Sequence, residues 1–482
     1  MSRALEADFS EILLLPPSVE DWVAPESPAR FIREFVAGLD AEEFALVRPS
    51  EKNEDGRPHY APALLLRVWL YAYLRKVRSH RAVEAACRER VDFIWLSGNL
   101  QPDHNTLWRF WQSHRAVIKK LFVKTVRVAN EMNLVGLVLQ AVDGTKIQAA
   151  CSGRKGWDKE GLSKALDRLE EQINALESAI LQTGEQQREN EVGLPPELAS
   201  ARVLREKIQA ALQKVEANET QYCHPQELEA RRMECDGRNR FSYNAQAVTD
   251  DQEQIIVAAD VVNEANDFGQ LKPQIEQAEA NLEERTAQSL ADGGYCHGAQ
   301  VEAMQAAGYQ FLAPIRHDPK DPSDPTQEPY HSSRFRYDET TDTMVCPQGQ
   351  TLSFRRERDR EHAIVREYRS KGAVCRACPA FGVCTKDRHG RSVERWPWSA
   401  AMEAHRARMA QADAQETYRQ RAPIIEPVFG WIKEAWQFRR WTVRGLEKVR
   451  AQWNMICAVS NLRVIYRAWL GAAALGKVGA GV

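Results

Sequence analysis

Charge of one sign is what this sequence lacks. Its 482 residues carry 65 Lys and Arg against 67 Asp and Glu, a formal net charge of -2. A balance of that kind gives no global attraction to nucleic acid, so any such binding has to come from local clusters. Long apolar runs are missing too: none reaches the roughly 18 residues of a membrane span. The opening MSRALEADFSEILLLPP has an apolar run too short and flanks too acidic for a signal peptide. These absences read as a cytoplasmic chain with no membrane partner. Ten cysteines in such a chain do not make a disulfide framework. What is present is 43% hydrophobic residues, enough for a sizeable core, and a length that suits two to four domains.

Residues 1–125 read as all-helical. FIREFVAGL and PALLLRVWLYAYLRKV carry apolar residues at helical spacing. Shorter helices follow, the last capped by Asp103 or Asn105. A face with Trp108, Arg109 and Trp111 resembles a helix-turn-helix array that binds DNA. A helical bundle without that role fits the same pattern.

The texture then changes. GLVLQAVDG (136–144) has a buried-strand pattern ending at Asp143, and FSYNAQAVT and QEQIIVAADVV form a hairpin. A helix over about 269–284, a strand ending at Asp292, a second helix and the strand YQFLAPI complete the series. That order predicts an α/β fold, a ribonuclease-H-like mixed sheet over 130–316 and 400–470 with two inserts.

The first insert, 155–220, repeats Leu162, Leu166, Leu169, Ile173, Leu176 and Ile180 as a heptad seam. The seam resumes at Leu204, Ile208, Ala211 and Val215. It reads as a helical hairpin or coiled coil, pairing within the chain or between two copies. The second insert, 320–400, is polar and basic. It holds Cys346, Cys375, Cys378 and Cys384, which together could close a structural zinc site, or stand as unligated thiols. Its local excess of Arg and Lys reads as a phosphate-facing patch or a solvated loop. Residues 471–482 read as a flexible tail.

Three acids matter most. Asp143 and Asp292 each end a strand, and Gly293 and Gly294 follow the second, which lets a ligand approach closely. Singly, each reads as a turn; in the expected sheet their strands are adjacent and the acids converge. Glu426 follows the second insert, in YRQRAPIIEPVFGWIK. Pro427 disfavours helical geometry at Glu426, which predicts a helix starting near Pro427 or a kinked one. Three carboxylates suit Mg²⁺ or Mn²⁺ and phosphoryl transfer. Tyr418, Arg421 and Lys433 would hold DNA phosphates. Trp436, Phe438 and Trp441, interleaved with Arg439 and Arg440, suit base stacking and backbone binding, or a core helix with a basic face.

The sequence resembles the DDE transposases of bacterial insertion sequences. LLPPSVEDWV and the helices to about 115 resemble that family's N-terminal domain. VDGTK, ADGGY and Tyr418-x2-Arg421-x4-Glu426-x6-Lys433 resemble its first Asp, its second Asp and its Y-R-E-K signature. The resemblance implies a catalytic triad of Asp143, Asp292 and Glu426, cleavage at transposon ends, and 3′-hydroxyl strand transfer into target DNA. It implies as partners double-stranded DNA, both terminal inverted repeats and target, and a homodimer or higher multimer on the nucleoid. The alternatives are a decayed transposase that binds the element's ends as a repressor, and a nuclease or ribonuclease on the same core.

Overall fold

The computed structural model of the chain describes residues 18–46, 59–152, 156–184, 196–217, 219–315, 328–360 and 363–474. Six helices come first: α1 Pro28–Ala37, α2 Pro62–Leu74, α3 His80–Glu89, α4 Val91–Ser97, α5 His104–Ser113 and α6 Arg115–Glu131. Their starts are where the sequence puts short polar side chains. Ser27, Ser79 and Asp103 accept the N–H groups of Ala29, Ala82 and Thr106, which the first helical turns leave free. Gly98, at φ 63°, ends α4 in the left-handed conformation glycine tolerates best.

A six-stranded mixed sheet follows, made of β1 Leu139–Gln148, β2 Arg231–Cys235, β3 Arg238–Asp250, β4 Ile256–Val262, β5 Gln288–Ala291 and β6 Phe311–Leu312. The order is β2-β3-β1-β5-β6, with β4 also paired to β3. β1 runs antiparallel to β3 and parallel to β5, and β5 runs parallel to β6. Parallel neighbours need crossovers, and α9 Leu271–Leu282 and α10 Gly298–Ala306 lead into β5 and β6. β1 does not end at Asp143 as its apolar run suggests. It continues to Gln148, because β3 pairs with it as far as Gln148↔Ser242.

The first insert is a pair of helices, α7 Lys159–Gly184 and α8 Pro196–Glu216. Leu162, Leu169 and Ile173 pack with Leu198, Ile208 and Ala211 in a small core of their own, so the seam pairs within the chain. Leu204 is exposed instead. The break at 185–195 and the side chain of Ile180 lie outside the described residues. The second insert is an antiparallel sheet, β7 Arg336–Asp338, β8 Thr343–Val345, β9 Thr351–Arg360, β10 Ala363–Arg369 and β11 Ser392–Arg395, with the short helix α11 Gly372–Arg376. Its arginines are largely paired. Buried Glu367 meets Arg356 at 2.8 Å and Arg358 at 2.9 Å, and Arg360 meets Glu394 at 2.8 Å.

The chain closes with α12 Ser399–Met409, α13 Ala412–Tyr418, α14 Arg421–Gly430, a π-turn over Trp431–Ala435 and α15 Leu446–Ala474. One contiguous apolar core unites α1–α6, the mixed sheet and these last helices. No helix among the described residues is long and apolar enough to cross a membrane. Residues 475–482 of the expected tail are outside the description.

α15 is tied to the sheet by one buried amide. Asn461 Oδ1 accepts the Ile256 N–H at 2.9 Å and its Nδ2 donates to the Ile256 carbonyl at 2.8 Å. The side chain thus satisfies both backbone groups of a β4 residue that no further strand covers. Asn461→Ala leaves both without partners and is expected to lower stability by about 2–4 kcal/mol. Urea unfolding of the full chain, wild type against variant, measures it.

Candidate active site

The site forms where β5 stops and β1 goes on. The parallel pairing of these strands ends at Val142↔Ala291. The next residues are Asp143, still in β1, and Asp292, which turns out of β5. Parallel register therefore sets the two carboxylates side by side. Asp143 is half-buried, and its carboxyl pKa is raised above the ordinary value. Burial is the main cause; Asp292 adds to it, while Arg421 and the Gly144 N–H oppose it. Asp292 Oδ1 accepts the Gly294 N–H at 2.8 Å, which folds the glycine turn back over the carboxylate.

Arg421, the first residue of α14, donates from Nη1 to Asp143 Oδ2 at 3.1 Å. Burial works against its charge, but Asp143, Tyr418 and Asp292 together hold its pKa above the usual value. The Tyr418 hydroxyl lies beside that guanidinium. Burial raises its pKa, with Asp292 and Asp143 adding to the rise and Arg421 resisting it. The sequence-predicted Asp143, Asp292, Tyr418 and Arg421 thus stand together.

Glu426 lies inside α14, neither at its start nor at a break. Pro423 falls in the first turn, where no N–H is required. Pro427 has no N–H to give the Pro423 carbonyl, and Gln254 Nε2 donates to that carbonyl at 3.2 Å instead. The helix therefore runs through Pro427. Glu426 is solvent-exposed and joins no ion pair or side-chain hydrogen bond among the described residues.

The other expected DNA contacts divide. Arg109 is exposed on α5. Lys433 and Arg439 both reach Asp236, at 3.7 and 3.2 Å. Arg440 donates to the Cys151 carbonyl at 3.0 Å. Trp436, Phe438 and Trp441 are only 2%, 1% and 2% exposed, so their rings pack on protein and present no face to a base. Trp436 packs against Trp431, and Trp441 Nε1 donates to the Ile147 carbonyl at 3.1 Å. This aromatic stretch is a strap along the end of β1, because burying indole rings stabilises the fold more than exposing them.

Sequence reasoning missed a polar group on the opposite face of β1 from Asp143. Side chains alternate along a strand, so Gly144 and Lys146 face Gln246 and Asn244 of β3. Asp267, in the loop before α9, gathers them. It accepts from Asn244 Nδ2 and Gln246 Nε2, each at 2.7 Å, and pairs with Lys146 Nζ at 3.1 Å. The hydroxyl of fully buried Tyr295 donates to Gln246 Oε1. Asn244 and Gln246, two residues apart among the apolar Tyr243, Ala245, Ala247 and Val248, were a visible signal. Asp267, in a loop that reads as a turn, had none.

Asp143 and Asp292 offer hard oxygen donors of the kind Mg²⁺ and Mn²⁺ prefer. The donor chemistry fits a hydrated divalent cation. Among the described residues, no three His, Cys, Asp or Glu side chains already stand arranged to hold a metal.

Neighbouring parallel strands thus deliver paired carboxylates beneath a helix that carries arginine. Residues 345–466 match the family model described as a transposase DDE domain, and residues 17–113 match the transposase domain DUF772. Both matches are to transposase domains, and together they support a DDE-type insertion-sequence transposase. No curated protein matches the chain. The DDE-domain match covers β9–β11, the four cysteines of that insert and Glu426 but neither aspartate, so the case for Asp143 and Asp292 rests on their geometry.

A methyl group at Gly144 would lie 2.4 Å from Gln246 Nε2, 2.8 Å from Asn244 Oδ1 and 2.9 Å from Asp267 Oδ1. Gln246 Nε2 is bonded to Asp267 Oδ1, and the Asn244 amide is held by its own Nδ2 bond to Asp267, so none of the three moves away freely. Gly144→Ala is expected to cost about 1–3 kcal/mol by overpacking. A lowered thermal midpoint of the full chain checks this.

Proposed function

We propose that the chain cleaves DNA at the ends of an insertion sequence and joins the freed 3′-hydroxyl to target DNA. In this reading Asp143, Asp292 and Glu426 are the catalytic carboxylates. The observation that carries it is the parallel register of β1 and β5, which sets Asp143 beside Asp292 at the foot of the helix bearing Glu426. The sheet order supports a ribonuclease-H-like core: β1 is central, with β3 antiparallel on one side and β5 and β6 parallel on the other.

Asp143 and Asp292 would hold Mg²⁺ or Mn²⁺, with Glu426 added from the exposed face of α14. Such cations activate a water or 3′-hydroxyl and stabilise the leaving oxygen at phosphorus. Arg421 spends one donor on Asp143 and keeps others for a phosphate oxygen, which suits a planar guanidinium. Tyr418 offers its hydroxyl beside it. Arg109, Lys433, Arg439 and Arg440 would contact the DNA backbone further out, and phosphates would compete with Asp236 for two of them. The N-terminal helices would bind the terminal inverted repeats, and a multimer would pair two ends.

The test is cleavage and strand transfer in Mg²⁺ on DNA carrying the element's own ends. Asp143→Asn, Asp292→Asn and Glu426→Gln are each expected to lower the rate by about 10³-fold or more, with end binding retained. Joined products from a variant at near wild-type rate would remove that residue from the mechanism.

A pH dependence follows from Asp143. Its raised pKa means that the carboxylate takes up a proton at a higher pH than an ordinary aspartate, and Arg421 opposes that rise. Removing the guanidinium removes the opposition. In Arg421→Gln the acid limb of the cleavage profile is therefore expected at higher pH than in wild type. An unmoved limb would mean that Asp143 does not set it.

A further inference from the structure

We propose that Cys346, Cys375, Cys378 and Cys384 bind one Zn²⁺ as four thiolates and so close the core of the β7–β11 sheet. The four come from three separate pieces of chain. Cys346 follows β8, Cys375 lies in α11, and Cys378 and Cys384 lie in the loop toward β11. All four line one cleft, together with Leu352, Val374 and Phe381. Cys346, Cys375 and Cys378 each lie near enough to Cys384 to act on its charge.

Backbone amides point at two of the sulfurs. The Gln350 N–H donates to Cys346 Sγ at 3.3 Å, within a turn closed by Gly349 N–H to the Cys346 carbonyl at 2.8 Å. The Arg391 N–H donates to Cys375 Sγ at 3.4 Å. Amide donors directed at sulfur orient it as outer-shell partners of a metal site do. Cys375 and Cys378 stand in a Cys-x-x-Cys turn, in which the Cys378 N–H meets the Cys375 carbonyl at 3.1 Å. Soft sulfur donors in fourfold number select zinc over the hard cations suited to the carboxylate site.

The sheet also needs the support. Among the described residues, its own small core is Phe335, Met344, Leu352, Tyr368 and Val393, with Tyr337, Cys346 and Cys384 packed against it. Units with so small a core are commonly held by a metal or a disulfide. A single disulfide would join two of the thiols and leave the other two free. Zinc joins all four and ties the β8–β9 turn to α11 and to the loop before β11. Binding draws the sulfurs in by rotation about their Cα–Cβ bonds and releases the thiol protons.

The experiment uses the full chain, purified under reducing conditions without chelator and supplied with stoichiometric Zn²⁺. Elemental analysis is expected to find about one zinc per chain, falling to about none in Cys375→Ser/Cys378→Ser. Zinc is expected to stay in Cys87→Ala, which alters a buried thiol of α3, and in Asp143→Asn, which separates this site from the carboxylate reading. If the double serine variant fails to fold, the wild-type chain still decides. Titration with a mercurial is expected to release the zinc as four thiols react, and cobalt-loaded protein to show sulfur-to-cobalt charge transfer. A wild-type chain without zinc, zinc retained by the double variant, or a mass lowered by disulfide formation overturns the proposal.

Discussion

The site depends on a mismatch in strand length. β5 ends at Ala291 while β1 continues to Gln148 against β3. Parallel pairing lasts only to Val142↔Ala291, so the next residue of each strand is an aspartate near the other and freed from the ladder on that side. Burial, with the Asp292 carboxylate adding to it, makes Asp143 resist ionisation. Arg421 offsets part of that cost in the metal-free chain. The fold thus maintains a local excess of negative charge that a divalent cation would relieve.

The rest of the chain keeps that arrangement in place. α14 brings Arg421 to Asp143 at its first residue and survives Pro427, where Gln254 from the β3–β4 turn takes the orphaned carbonyl. The strap at Phe438–Trp441 adds to the end of β1: the Trp441 N–H bonds to the Gln148 carbonyl at 2.9 Å. Trp453 of α15 donates to the Gln246 carbonyl at 2.8 Å, fixing β3 behind the Asp267 group. Asn461 then locks α15 to β4. Helices at the far end of the chain therefore position strands near its middle, and α1–α6 share the same core.

Much of this was legible in the residues. The helices before Glu131, the strands of the mixed sheet other than β2 and the heptad seam follow from periodicity and turn chemistry, whereas the convergence of the two aspartates was expected only from an assumed sheet order. What was illegible has physical reasons. The end of β1 was misplaced because Gly144 and Lys146 break the apolar run, although pairing with β3 extends the strand beyond it. Trp436 and Trp441 beside arginines read equally as a stacking surface or as a core segment, and only tertiary packing decides for the core. The strands of the cysteine-bearing segment were missed because their arginines hide the alternation, and Glu367 neutralises three of them at 2.8–3.4 Å. Asp267 gathers its partners across 20 residues and more, a relation no local pattern encodes.

The central claim is that Asp143 and Asp292 share one divalent cation site with Glu426 at its rim. Iron-directed cleavage of the polypeptide tests it directly. Fe²⁺ replaces Mg²⁺ in the full chain bound to its DNA ends, and ascorbate with peroxide generates radicals that cut the backbone beside the metal. The account predicts fragments ending near Asp143, Asp292 and Glu426, suppressed by excess Mg²⁺. Cuts absent from both aspartates, or confined to the cysteine-bearing sheet, would contradict it.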